Sequence, residues 1–160
     1  MAAPLSYGDF LREHLRRNEP ALISSELTSS WPARCEWLDT DGSLHWDVLK
    51  SRLGGARVAA LDCETQECKD MLFSDLLEQW QAGAGRQLYA KDWHLPLWLE
   101  SQGMSAAEAL YDVPSIVRDD WMNSYYLAHS DDDFRFAYFG GAATFTPLHR
   151  DVCACSPLSR

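Results

Sequence analysis

The sequence predicts an α+β fold, in which a region of mixed helices and strands leads into consecutive strands near the C-terminus. Three observations support this class. Apolar residues recur at helical spacing in several segments of the first ninety residues, and short apolar runs typical of strands separate those segments. After residue 133, aromatic side chains alternate with other residues at the period of a strand.

The length, composition and charge of the chain argue against several classes of protein. With 160 residues, 46% of them hydrophobic, the chain suits one globular domain and is too apolar for a disordered one. The formal net charge of −10 disfavours binding to nucleic acid phosphates or to an anionic membrane surface. We therefore expect partners other than nucleic acid or membrane.

The N-terminus and the cysteines indicate the compartment. No apolar run approaches the roughly 20 residues of a membrane span, and Asp9, Arg12 and Glu13 interrupt any signal-peptide core. The five cysteines form neither a CxxC pair nor a dense disulfide pattern, and their spacings fit zinc poorly. We expect a soluble, cytoplasmic protein with reduced thiols.

The N-terminal segment begins with a capped helix. Ser6 followed by Asp9 is typical of a helix N-terminus, and apolar spacing predicts a helix until Asn18. The apolar run 21–23 predicts a short strand, and Trp31-Pro32 predicts a turn.

The next elements alternate between helix and strand. The spacing over 46–53 predicts a helix that ends at Gly54-Gly55, and 57–61 predicts a buried strand. Ser74 is expected to cap a helix through Trp80, and 87–91 predicts another strand.

The second half begins with a segment rich in breakers. Residues 95–117 are expected to form a connecting arm that holds a helical turn over 105–110. Residues 131–133 predict a solvated polar turn rather than a calcium loop. Strands are expected over 134–138 and 144–152.

Two His-x-Asp pairs are candidates for metal binding. Side chains two apart project from the same face of a strand, but from nearly opposite faces of a helix. His45 and Asp47 stand at a helix start, so we interpret them as part of a capping turn. His149 and Asp151 stand in a segment that favours a strand, so they could bind one ion.

The run Thr146-Pro147-Leu148-His149-Arg150-Asp151 resembles the metal-binding strand of the jumonji C (JmjC) oxygenases. Four other blocks are similar to members of the same family and extend the resemblance over nearly the whole chain up to Val152. They are Ser6-Tyr7-x-Asp9-Phe10, Leu88-Tyr89-Ala90-Lys91-Asp92-Trp93-His94-Leu95, Asp120-Trp121-Met122-Asn123 and Asp132-Asp133-Phe134-Arg135-Phe136-x-Tyr138.

The resemblance implies an incomplete double-stranded β-helix of the cupin (jelly-roll) type. Residues 1–130 would form the N-terminal part of the JmjC domain, 131–152 the first metal-binding strands, and 153–160 a divergent tail. It also implies Fe(II) and 2-oxoglutarate as cofactors. The activity it implies is hydroxylation of a lysine in a protein substrate, a translation termination factor.

The resemblance assigns roles to three residues. His149 and Asp151 match two of the three iron ligands, and Thr146 matches a position near the 2-oxoglutarate carboxylate. Thr146 and His149 are three apart and would face opposite ways on a regular strand. Thr146 is therefore expected in the pocket only if Pro147 marks a bulge or kink.

Two further groups of the family lie downstream of the His-x-Asp strand. They are a distal iron-binding histidine and a basic residue that pairs with 2-oxoglutarate. Nine residues follow Asp151, and among them only the terminal Arg160 is basic and none is histidine. We do not expect His14, His45, His94 or His129 to replace the distal ligand, because the family places it on a later strand.

These observations predict a truncated, marginally stable and inactive form of such an oxygenase. Whether the chain is an enzyme at all stays open at this point. The alternative is a non-catalytic interaction module that retains the N-terminal region. The sequence does not specify an oligomeric state.

Overall fold

A computed structural model describes residues 5–149 and confirms the α+β class. The strands are β1 Arg57–Asp62, β2 Cys68–Leu72, β3 Leu88–Trp93 and β4 Ala137–Gly140. The α-helices are α1 Tyr7–Phe10, α2 Pro32–Glu36, α3 Trp46–Leu53, α4 Phe73–Gln81, α5 Leu95–Ser101, α6 Ala106–Ala109 and α7 Trp121–His129. A π-helical turn, Leu11–Leu15, continues α1, and 3₁₀ turns cover Ser25–Thr28 and Ser115–Val117.

The described residues divide into two compact units, one of residues 5–49 and 96–121 and one of 50–95 and 122–149. In the first unit, the predicted cap of α1 is present, because Ser6 Oγ accepts a hydrogen bond from Asp9 N–H at 3.2 Å. The predicted helical turn near 105–110 is α6, which Ser105 and Glu108 cap reciprocally. Local capping signals are thus reliable in this unit.

The second unit contains an antiparallel sheet in the order β2-β1-β3-β4. Ala60 pairs with Ala90 between β1 and β3, and Ala90 pairs with Phe139 between β3 and β4. β2 pairs with β1 from Leu72 opposite Arg57 to Cys68 opposite Leu61. β2 was not anticipated, because its mostly exposed residues lack the alternation that marks a strand.

The core of this unit centres on Phe73 at the start of α4, which is completely buried. Its ring lies 5.0 Å from that of Phe139, 5.1 Å from that of Trp93 and 6.3 Å from that of Trp80. These separations are in the favourable range for aromatic pairs. The aromatic cluster therefore joins α4 to β3 and β4.

Several predicted boundaries in the first half are wrong. Residues 21–23 form no strand, and Leu22 is fully exposed, so the run lacks the burial that stabilises a short strand. Trp31-Pro32 begins α2 instead of a turn, since proline is favoured at the first helical position. Ser74 is not a cap, because α4 already begins at Phe73.

The segment 95–117 is more helical than expected. It contains α5, in which Pro96 stands in the first turn where its missing N–H costs nothing. The helix α7 was also not anticipated.

The predicted C-terminal strands differ as well. The strand expected over 134–138 is found at β4, shifted towards Gly140. Residues 144–149 form no strand. Pro147 offers no N–H to a sheet, and the turn at Ala143 is held by a bond from its N–H to the carbonyl of Arg86 at 2.9 Å. The remaining residues of that predicted strand, 150–152, lie outside the described part of the chain.

Within residues 5–149, no helix is long and apolar enough to cross a membrane.

Replacing Phe73 with alanine should lower the free energy of unfolding by about 3–5 kcal/mol, because it leaves a cavity among three aromatic rings. Urea denaturation followed by tryptophan fluorescence measures this change. Leu148→Ala removes a fully exposed side chain and should change stability by less than about 0.5 kcal/mol. Equal losses in the two variants would contradict the assigned core.

Candidate functional site

Strand β3 presents different side chains to its two faces. Leu88 and Ala90 are buried in the core, whereas Tyr89 and Lys91 project from the other face. The next residue, Asp92, takes a φ of 54°. Between the pairs Ala90–Phe139 and Trp93–Ala137, β3 holds one more residue than β4, which is a β-bulge. The bulge returns Trp93 to the buried face.

The turn after β4 needs two glycines. A Cβ atom on Gly141 would overlap the carbonyl of Arg86, and one on Gly140 would overlap the Thr144 hydroxyl. Thr144 Oγ1 donates to the carbonyl of Gly141 at 2.9 Å and tightens the turn. The following residues are thereby directed back over β3.

This return brings Thr146 to β3, where its Oγ1 lies 3.2 Å from the hydroxyl oxygen of Tyr89. The two hydroxyls stand in a cavity of about 230 Å³. The side chains that line the cavity are Leu61, Cys63, Gln66, Tyr89, Lys91, Phe145, Thr146 and Pro147. The cavity therefore combines apolar walls with hydroxyl, amide, thiol and ammonium groups.

The turn between β1 and β2 forms one wall and depends on the buried carboxylate of Asp62. Its Oδ1 accepts hydrogen bonds from the N–H groups of Thr65 at 3.1 Å and Glu64 at 3.0 Å. Its Oδ2 accepts one from Gln87 at 3.2 Å and lies 3.9 Å from Lys69 Nζ. The Thr65 N–H contributes most to lowering the pKa of Asp62 below its ordinary value, and the other three groups add to it against the effect of burial.

Gln66 completes this wall in a left-handed conformation, with φ of 62°. Its amide Nε2 donates to the carbonyl of Cys63 at 2.8 Å. Both residues line the cavity. The sequence assigned none of Cys63, Gln66, Tyr89 and Lys91 to a site, because the cavity forms only when the turns fold back on the sheet.

His149 follows Thr146 by three residues and is exposed. Its Nδ1 lies 2.9 Å from the carbonyl oxygen of Pro147. A carbonyl oxygen only accepts, so a hydrogen bond here requires the tautomer of the neutral ring that has its proton on Nδ1. This is the usual tautomer of a metal-binding histidine. Asp151 lies outside the described residues.

Thr146 lies in the cavity, on a segment that is not a regular strand. The rule that residues three apart face opposite ways holds only for a regular strand. It therefore does not prevent Thr146 and His149 from belonging to one site. The role of Thr146 towards 2-oxoglutarate stays a prediction.

His45 and Asp47 stand at the beginning of α3, as predicted, with Asp47 in the first turn. The backbone N–H of His45 donates to the carbonyl of Trp37 at 2.7 Å. This pair therefore belongs to the helix N-terminus, where the two side chains point apart.

The sequence predicted a solvated turn over 131–133, and this prediction is wrong at Asp133, which is buried. Its Oδ1 lies 2.9 Å from His94 Nδ1, and its Oδ2 lies 2.5 Å from Arg135 Nε. Asp132 Oδ1 also approaches His94 Nδ1, at 3.1 Å. Asp133 thus connects the end of β3 to the segment before β4 through a hydrogen bond with His94.

Comparison with known proteins gives no matching family profile and no matching solved structure. Among curated proteins, the chain is 36% identical to arginine-specific demethylase JMJ20 of Arabidopsis thaliana and 32% identical to human 2-oxoglutarate and iron-dependent oxygenase JMJD4. Both matches cover 92% of this chain. JmjC domain-containing protein 1 of Schizosaccharomyces pombe is 43% identical over 74 residues.

Over 92% of its length the chain is similar to 2-oxoglutarate and iron-dependent oxygenases of the JmjC type. The family resemblance predicted from the sequence is thereby confirmed, with the cupin-like fold that it implies. Fe(II) and 2-oxoglutarate are the family's cofactors, as the names of the JMJD4 proteins state. The chain spans about a third of the length of JMJ20 and human JMJD4, 36% and 37% respectively.

Replacing Asp62 with asparagine should reduce the dependence of stability on pH. A carboxyl whose pKa is lowered by folding stabilises the protein above its unfolded pKa, and this contribution is lost as pH falls below about 4. Asp62→Asn should therefore be less stable than wild type near neutral pH and show a flatter profile in acid. Urea denaturation at pH values between about 3 and 7 measures how the free energy of unfolding depends on pH in wild type and in Asp62→Asn.

Asp131→Asn removes an exposed carboxylate and serves as the control for the change in net charge. If wild type and Asp62→Asn lost stability in parallel on acidification, the assigned role of Asp62 would be wrong.

Proposed function

We propose that this protein is a 2-oxoglutarate and iron-dependent protein hydroxylase that acts on a lysine side chain of a translation termination factor. The observation that supports it most directly is that the hydroxyls of Tyr89 and Thr146 lie in one cavity. Thr146 precedes the predicted iron ligand His149 by three residues. The oxygenase class comes from the relatives. The lysine and the termination factor come from the sequence resemblance and are the part to be tested.

The cavity suits a small organic acid. At about 230 Å³ it is smaller than the roughly 300–1,000 Å³ of pockets for drug-sized ligands. In this proposal the hydroxyls of Tyr89 and Thr146 donate hydrogen bonds to a carboxylate of 2-oxoglutarate. The apolar side chains of Leu61 and Phe145 would contact its carbon chain.

Iron would be held by His149 through Nε2 and by Asp151. The fit rests on the chemistry of an imidazole and a carboxylate as iron ligands and on the Pro147 carbonyl 2.9 Å from His149 Nδ1, since metal-binding histidines commonly donate their other ring N–H to such a carbonyl. When bound, iron supplies the activation of O₂. In the overall reaction, 2-oxoglutarate is oxidised to succinate and CO₂, and one oxygen atom each enters succinate and the substrate C–H bond.

These 160 residues provide two of the three iron ligands that the family resemblance implies. A polypeptide of these residues should therefore bind Fe(II) weakly and produce no turnover by itself. We place the activity in the cytoplasm, where termination factors act.

A polypeptide of these 160 residues, incubated with Fe(II), 2-oxoglutarate and a lysine-containing peptide of the termination factor, should form no succinate above background. A chimera that continues after Asp151 with the remaining segment of human JMJD4 supplies the later strands. It should hydroxylate the peptide, which mass spectrometry detects as the gain of one oxygen atom on lysine.

His149→Ala in the chimera should abolish this hydroxylation, whereas His45→Ala, at the start of α3, should retain it. Robust succinate formation by the 160-residue polypeptide would contradict the requirement for a further ligand. A folded, iron-loaded chimera that leaves the peptide unmodified would contradict the proposed substrate. Peptide binding without turnover in that chimera would favour the interaction-module alternative.

A further inference from the structure

We infer that Asp92 and Tyr138 form a cation site beside the cavity, and that this site selects a lysine side chain of the protein substrate over an arginine side chain. The inference rests on the proposed function, because it assigns the residues that recognise a basic side chain of that substrate. Neither residue is among the described residues that line the cavity proposed for 2-oxoglutarate. The cation site is therefore distinct from the site of the co-substrate.

Tyr138 projects from the face of the sheet that carries the cavity. On β4, Phe139 packs against Phe73 in the core, so its neighbour Tyr138 points to the opposite face. Tyr89 lies on that same face, and the rings of Tyr89 and Tyr138 are 6.2 Å apart. Because Tyr89 lines the cavity, the Tyr138 ring stands next to it.

The carboxylate of Asp92 is fixed beside the Tyr138 ring. Its φ of 54° at the β-bulge is a left-handed conformation that aspartate and asparagine adopt more readily than most residues. The Tyr138 hydroxyl donates to Asp92 Oδ1 at 2.9 Å. The Asp92 side chain is nevertheless 59% exposed, so a ligand can reach the oriented carboxylate.

The groups of this site favour a cation. Lys91 Nζ lies 3.8 Å from Asp92 Oδ2, which is beyond hydrogen-bond distance. Such a loose, solvent-screened pair contributes little, so the ammonium group of a ligand can replace Lys91. Tyr138 is 53% exposed, and the face of an aromatic ring attracts cations. A carboxylate oxygen and an exposed ring thus converge on the position of the ligand.

The hydrogen bond from Tyr138 favours lysine over arginine as that ligand. A guanidinium group binds a carboxylate best through two parallel hydrogen bonds, one to each oxygen. In Asp92, Oδ1 already accepts from Tyr138. An ammonium group is a compact point charge that can bind through Oδ2 alone. Asp92 therefore supplies the charge, and Tyr138 determines the preference for lysine.

A titration without iron, oxygen or 2-oxoglutarate tests this inference on the 160-residue polypeptide. The probes are Nα-acetyl-lysine methylamide, its arginine counterpart, and an uncharged counterpart in which a methyl group replaces the ammonium group of lysine. The lysine probe should shift the ¹H–¹⁵N NMR signals of Asp92 and Tyr138 saturably. The arginine probe should bind at least about threefold more weakly, and the uncharged probe at least about tenfold more weakly.

Asp92→Asn removes the charge but keeps the shape of the side chain, and asparagine tolerates the left-handed conformation. This variant should bind the lysine probe about tenfold more weakly than wild type. Asp131→Asn removes an exposed carboxylate on the turn after α7 and should bind the probe like wild type. The same spectra report whether each variant is folded.

Tyr138→Phe keeps the ring but removes the hydroxyl that occupies Asp92 Oδ1. Its preference for the lysine probe over the arginine probe should disappear, and the arginine probe should bind more tightly than it does to wild type. An unchanged preference in Tyr138→Phe, or unchanged affinity for the lysine probe in Asp92→Asn, would overturn the inference.

Because this titration involves no turnover, its outcome is distinguishable from that of the proposed function. If the chimera leaves the peptide unmodified while probe binding still depends on Asp92, the proposed function is wrong and the cation site remains. If the chimera hydroxylates the peptide and Asp92→Asn binds the lysine probe like wild type, only this inference is wrong.

Discussion

The β-bulge at Asp92 is the constraint on which the rest of the site depends. Without an extra residue, strict alternation would keep Trp93 on the face of Tyr89 and Lys91, away from the core. The bulge lets Trp93 pack against Phe73 and leaves the opposite face to the cavity. One strand therefore contributes both to the core of the second unit and to the lining of its cavity.

A second constraint is the tight turn after β4. Neither glycine of this turn tolerates a side chain, because a Cβ atom would overlap the Arg86 carbonyl or the Thr144 hydroxyl. The turn fixes where the chain leaves the sheet and so brings Thr146 within hydrogen-bond distance of Tyr89. The turn at residues 140–144 thus determines the position of Thr146 relative to β3.

The sequence predicted those parts of the fold that depend on local signals. Helix α3, strand β1, the cap at Ser6 and the helical turn over 105–110 follow from spacing and short-range hydrogen bonds. The strand expected at 21–23 fails, because a short apolar run needs burial that its own sequence cannot guarantee. The buried state of Asp133 was equally unforeseeable, since it depends on His94, a residue 39 positions away.

In the candidate site, too, the sequence predicted some features, whereas others depend on contacts between distant residues. The family resemblance indicated Thr146, His149 and Asp151, but the composition of the cavity around Thr146 required the fold. Tyr89 and Lys91 belong to a block that was informative about family membership and silent about geometry. Only the antiparallel pairing of β3 with β1 and β4, followed by the turn, places them beside Thr146.

A crystal structure of the polypeptide grown with saturating 2-oxoglutarate tests the central claim most directly. The account predicts the acid between β3 and residues 145–147, with one carboxylate within hydrogen-bond distance of both Tyr89 Oη and Thr146 Oγ1. An acid bound elsewhere, or Thr146 held away from β3 while the sheet is intact, would contradict it.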